Sequence, residues 1–267
     1  MKKMIIPVIF MCLIVSACGN NKNDATGNSA GLTVTAGTGH DNTKICWGFR
    51  KMKNSAPEVP QSTADLLKRY DSYYIGDADK KELFLTFDEG YENGYTPKIL
   101  DVLKKTDTPA AFFVTGQYIK EQPELVKRMA QEGHIVGNHS VHHPSFPEVS
   151  DQKLKDEITG LNDMYNKLTG QNMTYLRPPK GEFSERTLAI SKELGYKNIF
   201  WSSAYVDWDT NKQLGVQNAV SKVTSQYHNG NIILLHAVSK DNADGLETMI
   251  NEAKAMGYTF KSLDGLR

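Results

Sequence analysis

Residues 85–94 read LTFDEGYENG. The run at 83–87 is apolar and β-rich, and it stops at two carboxylates, Asp88 and Glu89, followed by Gly90. Two adjacent acids at the end of a buried strand are costly to desolvate unless something positive meets them. Six further apolar, β-rich runs follow, at 111–115, 135–137, 175–177, 198–201, 232–235 and 258–263. Amphipathic stretches of helical length separate most of them, at 96–105, 123–131, 151–168, 184–194, 215–227 and 244–256. Strand–helix alternation of this kind predicts an α/β fold: a parallel sheet with helices outside, open or curled into a deformed (β/α) barrel of about seven strands. In such folds the chemistry sits at the C-terminal ends of the strands.

The polar residues at those ends make chemical sense together. The first strand delivers Asp88 and Glu89. The third is followed by GNHSVHHPSF, with His139, His142 and His143. The fourth runs into RPPKGEF, with Arg177, Pro179, Lys180 and Glu182, and the fifth into SSAYVDWDT, with Asp207, Trp208 and Asp209. The sixth ends at His236, in ILLHAVSKDN. Carboxylates, imidazoles and an arginine on one face have the make-up of an active site. His139 and His143 are four apart, so a helical turn after His139 would aim both imidazoles at one divalent metal. One of the carboxylates at 88–89 is the natural third ligand. Two histidines, a carboxylate and a water form a catalytic type of zinc site. His142 is expected to point away.

The chain has 267 residues, enough for one large domain or two small ones. Its 31 basic and 31 acidic residues cancel, so the basic excess of a nucleic-acid binder is missing. The N-terminus, MKKMIIPVIFMCLIVSACGN, places two lysines before a short apolar stretch and the small residues Ser16 and Ala17 before Cys18. That order is a secretory signal, and Val15-Ser16-Ala17-Cys18 resembles a lipobox after which Cys18 would carry lipid. Residues 1–18 are therefore expected as a lipoprotein signal, 19–43 as a Gly/Asn/Thr/Ser tether with a coil reach of roughly 25–30 Å, and 44–267 as the catalytic domain. With Cys12 removed and Cys18 acylated, Cys46 has no disulfide partner.

From about residue 45 to 267 the chain resembles the polysaccharide deacetylases, carbohydrate esterase family four, with the NodB-homology fold. TFDEG, HSVHH, RPPKG, AYVDW and LLH stand in that family's motif order. The stretches FDEGYENGYT, RPPKGEFSE, FWSSAYVDW, LLHAVSKDNA and WGFRKMKN further resemble one branch, the PdaA-like delta-lactam-biosynthetic de-N-acetylases of spore-forming bacteria. The resemblance implies removal of the acetyl group from N-acetylmuramic acid in peptidoglycan, on the way to muramic δ-lactam in the spore cortex. It also implies a divalent metal, zinc first among the candidates. The glycan strands would be the substrate, an N-acetylmuramoyl-L-alanine amidase would act beforehand, and no nucleic acid would be involved. The protein would be extracytoplasmic, anchored through Cys18, and in a spore former it would work at the forespore or mother-cell membrane.

The resemblance also implies roles. His139, His143 and Glu89 would bind the metal. Asp88 would be the general base, oriented by Arg177, which Asp207 would hold in turn. Trp208 would line the sugar groove beside Pro179. His236 would be the general acid, the Lys180 backbone N–H would face the oxyanion, and Leu234 would border the acetyl methyl. The chain departs from the family twice. Glu89 stands where the family's metal-binding aspartate is usual, and Lys180 stands where many members carry an aromatic residue. A lysine there could pair with the lactyl carboxylate that distinguishes muramic acid from glucosamine. Two other readings stay open: the same chemistry on N-acetylglucosamine, in peptidoglycan or a chitin-like polymer, and a glycan-binding pseudoenzyme that lost turnover through Glu89.

Overall fold

The computed structural model describes residues 39–52 and 55–266. The expected signal, Cys18 and most of the expected tether lie outside the described residues. In chain order the elements are β1 (Ile45–Cys46), α1 (Gln61–Arg69), β2 (Ser72–Tyr73), β3 (Glu82–Glu89), α2 (Thr96–Lys105), β4 (Ala110–Val114), α3 (Gly116–Glu121), α4 (Pro123–Gln131) and β5 (Ile135–Asn138). Next come α5 (Asp151–Thr169), β6 (Tyr175–Leu176), β7 (Glu182–Phe183), α6 (Glu185–Glu193), β8 (Lys197–Ile199), α7 (Val216–Thr224), β9 (Asn231–His236), α8 (Lys240–Ala255) and β10 (Thr259–Phe260). Among the described residues no helix is long and apolar enough to cross a membrane.

All seven expected runs are strands of one parallel sheet, which two-residue β2 extends to eight. Its order is β10-β3-β4-β5-β6-β8-β2, with β9 also paired to β3. The sheet curls. Beyond β8 the chain returns to β9, where Ser202 N donates to Ile232 O (2.9 Å) and Leu234 N to Ser203 O (3.0 Å). The result is the deformed barrel that the alternation predicts.

Period-two alternation assigns each strand residue to the lumen or to the helices. On β3, Leu83, Leu85 and Phe87 join the large core under the helices. Phe84 joins a second cluster, in the lumen, with Phe113, Trp201 and Leu234. Thr86 and Asp88 share the parity of Phe84. Glu89 shares that of Phe87, so the two adjacent acids leave the strand in opposite directions.

Helix boundaries follow local chemistry. Ser150 caps α5 by accepting from Lys153 N, and the helix stops at Gly170 in the left-handed conformation (φ 76°). Ser239 caps α8 in the same way, accepting from Asn242 N. That helix begins earlier than the apolar pattern from 244 suggests, because its first turn is polar. The tether also ends earlier than expected. Arg186 N donates to Asp41 O (2.9 Å), and Asn42 Nδ2 donates to Pro147 O (2.9 Å). The segment continues into β1, which pairs antiparallel with β7, and Trp47 N donates to Gly181 O (2.8 Å).

Gly137 on β5 lies against the lumen. A Cβ there would stand 2.5 Å from two carbons of the Phe113 ring, which is wholly buried and has no room to retreat. Gly137→Ala is expected to destabilise the fold by about 1–3 kcal/mol through overpacking. This would be read as a lower urea midpoint with an unchanged slope; an unchanged midpoint would contradict the assignment of this contact.

Candidate active site

Asp88, the penultimate residue of β3, faces the lumen and lies directly opposite His236 in the β3–β9 ladder. Arg177, wholly buried, follows β6 and reaches across the lumen. Its Nη1 donates to Asp88 Oδ1 (2.7 Å), its Nη2 to Thr86 Oγ1 (2.9 Å) and its Nε to Ile199 O (3.1 Å). The guanidinium also lies 4.2 Å from the centroid of Phe113 and 5.6 Å from that of Trp201. Burial is the largest single influence and raises the Asp88 carboxyl, but the opposing charges, Arg177 first among them, together outweigh it and the pKa lies below the usual aspartate value. Asp88 is thereby held as an anion.

The expectation that Asp207 holds Arg177 is corrected. The Asp207 carboxylate instead receives His236 Nδ1 on Oδ1 (2.7 Å), and on Oδ2 the His236 backbone N–H (2.8 Å) and Asn242 Nδ2 (2.6 Å). The reason is placement. Asp207 arrives on the loop after β8 beside the end of β9, and the donors of Arg177 are engaged by Asp88, Thr86 and Ile199. Burial acts to lower the His236 pKa, but Asp207 outweighs it and the net shift is upward. Nδ1 is committed to Asp207 and Nε2 is left to face the site. Tyr205 OH donates to Asn242 Oδ1 and completes a network that was not anticipated. Asn242 was visible only as part of the stretch LLHAVSKDNA.

His139 and His143 meet with Nε2 atoms 3.1 Å apart. They do so without the helical turn expected from their spacing. Ser140 (φ 65°) and His143 (φ 58°) are both left-handed, and the chain folds back instead. His139 Nδ1 donates to Arg177 O (2.8 Å), which leaves the Nε2 lone pair toward His143. Burial lowers both pKa values, that of His143 to about 3 with His139 adding to the effect, so both rings are neutral. Two imidazole nitrogens sharing a tetrahedral ion would stand about 3.3–3.4 Å apart, so the pair fits a divalent cation. His142 points away, as expected, with its ring two-thirds exposed.

Glu89 does not join this pair, and the expectation that it supplies the third ligand is corrected. Its carboxyl is wholly buried on the helix side of β3, where Thr96 Oγ1 lies 3.5 Å from Oε1 and Oε2 has no partner. Burial first, then Glu92 and Asp88, push its pKa well above the usual glutamate value. Among the described residues no three His, Cys, Asp or Glu side chains gather tightly enough to hold an ion by themselves. The carboxylate oxygen nearest the pair is Asp88 Oδ2, 3.6 Å from His139 Nε2.

The remaining expected residues surround this core. Pro179 is buried and Lys180 exposed in a short turn, with Lys180 itself left-handed (φ 60°) and its charge felt at His143. Leu234 lies two residues before His236 on the lumen face of β9. Trp208 is half-buried on the Asp207 loop.

Residues 75–199 match the family described as polysaccharide deacetylase. The chain is 48% identical over 227 residues to the peptidoglycan-N-acetylmuramic acid deacetylase PdaA of Bacillus subtilis, covering 84% of this chain and 86% of that one. It is 32% identical over 204 residues to a peptidoglycan-N-acetylglucosamine deacetylase of Bacillus cereus, covering 75% and 73%. The solved structure of Bacillus subtilis PdaA, a family 4 carbohydrate esterase, superposes with a TM-score of 0.83 at 48% identity, covering 85% of this chain and 97% of that one.

A histidine that donates a proton works below its own pKa and fails as the pH rises through it. Asp207 raises the pKa of His236, so removing its charge is expected to move the alkaline limb of kcat/KM to lower pH. In Asp207→Asn the limb should fall toward the ordinary imidazole value of about 6.5, with a loss of up to about 30-fold at pH 8 as the protonated fraction falls. An unmoved limb would exclude the role of Asp207.

Proposed function

The chain belongs to the polysaccharide deacetylase family of amide-cleaving hydrolases, and from that premise we propose that it removes the acetyl group of N-acetylmuramic acid in peptidoglycan. The observation that carries this reading is the pairing of opposites across one ladder step: an aspartate bonded to Arg177, its pKa lowered, faces a histidine bonded to Asp207, its pKa raised. Environments that push two titratable groups apart assign the base and the acid.

Asp88 takes the proton from the attacking water on Oδ2, its Oδ1 being engaged by Arg177. The resulting oxygen adds to the acetyl carbonyl, and the charge that develops faces the backbone N–H of Lys180. His236 delivers the Nε2 proton to the amide nitrogen as the C–N bond breaks, which yields acetate and a free amine. Leu234 borders the methyl group, and Trp208 lines the groove for the sugar. A divalent cation, zinc first among the candidates, would be held by His139 and His143 with Asp88 Oδ2 nearby, and it would supply Lewis acidity toward the carbonyl and a more acidic water. We place this protein outside the cytoplasm, anchored by lipid at Cys18. It would act after an amidase has stripped the peptide, on the route to cortex δ-lactam.

The muramic preference is supported by the higher identity to the muramic acid deacetylase and by the exposed lysine at the mouth of the site. The same machinery would serve N-acetylglucosamine, which is the second reading. The pseudoenzyme reading is disfavoured because base, acid, and their orienting partners are all in place.

Mass spectrometry of peptidoglycan fragments incubated with the protein tests the proposal, with peptide-free muramic fragments set beside N-acetylglucosamine oligomers. Acetyl loss from the muramic sugar, abolished by chelator and restored by zinc, is the expected outcome. Loss from glucosamine alone would overturn the specificity, and loss from neither would bring the pseudoenzyme reading forward. Lys180→Tyr is expected to shrink the preference for the muramic sugar by about two- to fivefold, the worth of one exposed charge pair; an unchanged preference would remove Lys180 from the specificity.

A further inference from the structure

Residues 139–143 adopt a conformation that they would not hold alone. Ser140 and His143 are both left-handed without being glycine, and such residues persist only where the surroundings over-determine them. Every backbone N–H of the turn has a partner. His139 N donates to Val114 O (3.0 Å), Ser140 N to Asn138 Oδ1 (2.9 Å) and His143 N to Ser140 Oγ (2.9 Å). The other two go to one residue of α5: Val141 N donates to Glu157 O (3.3 Å), and His142 N to Glu157 Oε2 (2.7 Å).

The Glu157 side chain is wholly buried, although the His142 ring above it is mostly exposed. Its Oε1 receives His142 Nδ1 (2.8 Å) and Lys153 Nζ (2.7 Å), and these charge-assisted contacts keep its pKa below the usual glutamate value despite burial. A carboxylate this buried is costly unless it is fully bonded. Here the bonds fix the backbone between two histidines that must face each other.

We infer that Glu157 is a positioning residue, which clasps the 139–143 turn and so holds the imidazole pair in register. The inference deepens the proposed function and rests on it only for the effect on turnover. The clasp itself can be measured without metal or substrate.

The test compares the wild-type protein with Glu157→Met, Glu157→Gln and Lys153→Met. Amide hydrogen exchange is read residue by residue, and zinc affinity by competition with a chromophoric chelator. In Glu157→Met, protection at residues 141–143 should fall about tenfold or more, the worth of a buried charge-assisted bond, while amides in the remainder of α5 stay protected. Zinc affinity should fall by a similar factor, and kcat should fall with KM nearly unchanged. Glu157→Gln, which keeps an oxygen for the His142 N–H, should restore most of the protection, and Lys153→Met, which removes a charged partner of the carboxylate but leaves its contacts to the turn, should lose less protection than Glu157→Met. Unchanged exchange and zinc affinity at the turn in Glu157→Met would overturn the inference, as would protection lost evenly across α5 and the turn with no recovery in Glu157→Gln. If Glu157→Met fails to fold, Glu157→Gln and Glu157→Asp carry the same comparison, the shorter acid losing the His142 contact. If the wild-type protein shows no turnover, exchange still decides the clasp, and the failure falls on the substrate reading.

Discussion

The Asp88 side of the C-terminal face of this barrel is organised around one buried cation. Arg177 has no exposed surface, and the protein satisfies it on every side: Asp88, Thr86 and the Ile199 carbonyl accept its protons, and the rings of Phe113 and Trp201 cover its faces. Its own carbonyl then fixes the tautomer of His139. A single residue therefore sets the charge of Asp88, the proposed base, and the orientation of His139, one of the two imidazoles proposed to face a cation. A lysine could not do this, because a point charge lacks the planar fork that reaches Asp88 and Thr86 together.

The second constraint is the two-residue period of β3. Because side chains alternate, Asp88 and Glu89 cannot both serve the lumen. Asp88 does, two residues beyond Thr86, and Glu89 is sent among Thr96, Glu92 and Tyr118, where its pKa is pushed upward. The departure from the family's usual aspartate thus has a structural counterpart. The site offers two imidazole nitrogens and one carboxylate that already belongs to an ion pair. In the proposed mechanism cation binding and base strength would be coupled through Asp88, and a change at either histidine would be felt there.

The sequence made the fold largely legible. Seven apolar runs, read by period and spacing, are the seven main strands, and the helices at 96–105 and 123–131 fall where the pattern puts them. What escaped was short or polar: β2 and the β1–β7 pair have two residues a strand, α3 is a six-residue helix after a Thr cap, and the first turn of α8 is Lys-Asp-Asn. At the site, residue types and strand ends were legible, but partnerships were not. Which carboxylate meets Arg177, and which meets His236, depends on loop paths that spacing does not encode. Asn242, Tyr205 and Glu157 act through contacts 15 to 37 residues distant in sequence, and their residue types alone carry no chemical signature. Thr86 was the exception: two residues before Asp88 on one strand, it could have been read as sharing that face.

A double-mutant cycle on the base and its buried cation tests the central claim most directly. Asp88→Asn, Arg177→Met and the double variant would be compared by kcat for acetyl release, each confirmed as folded by circular dichroism. If Arg177 acts through Asp88, the double variant should be no slower than Asp88→Asn alone, as for residues that work as one unit. Two losses that simply multiply would contradict the claim and give Arg177 a part in the reaction independent of the base.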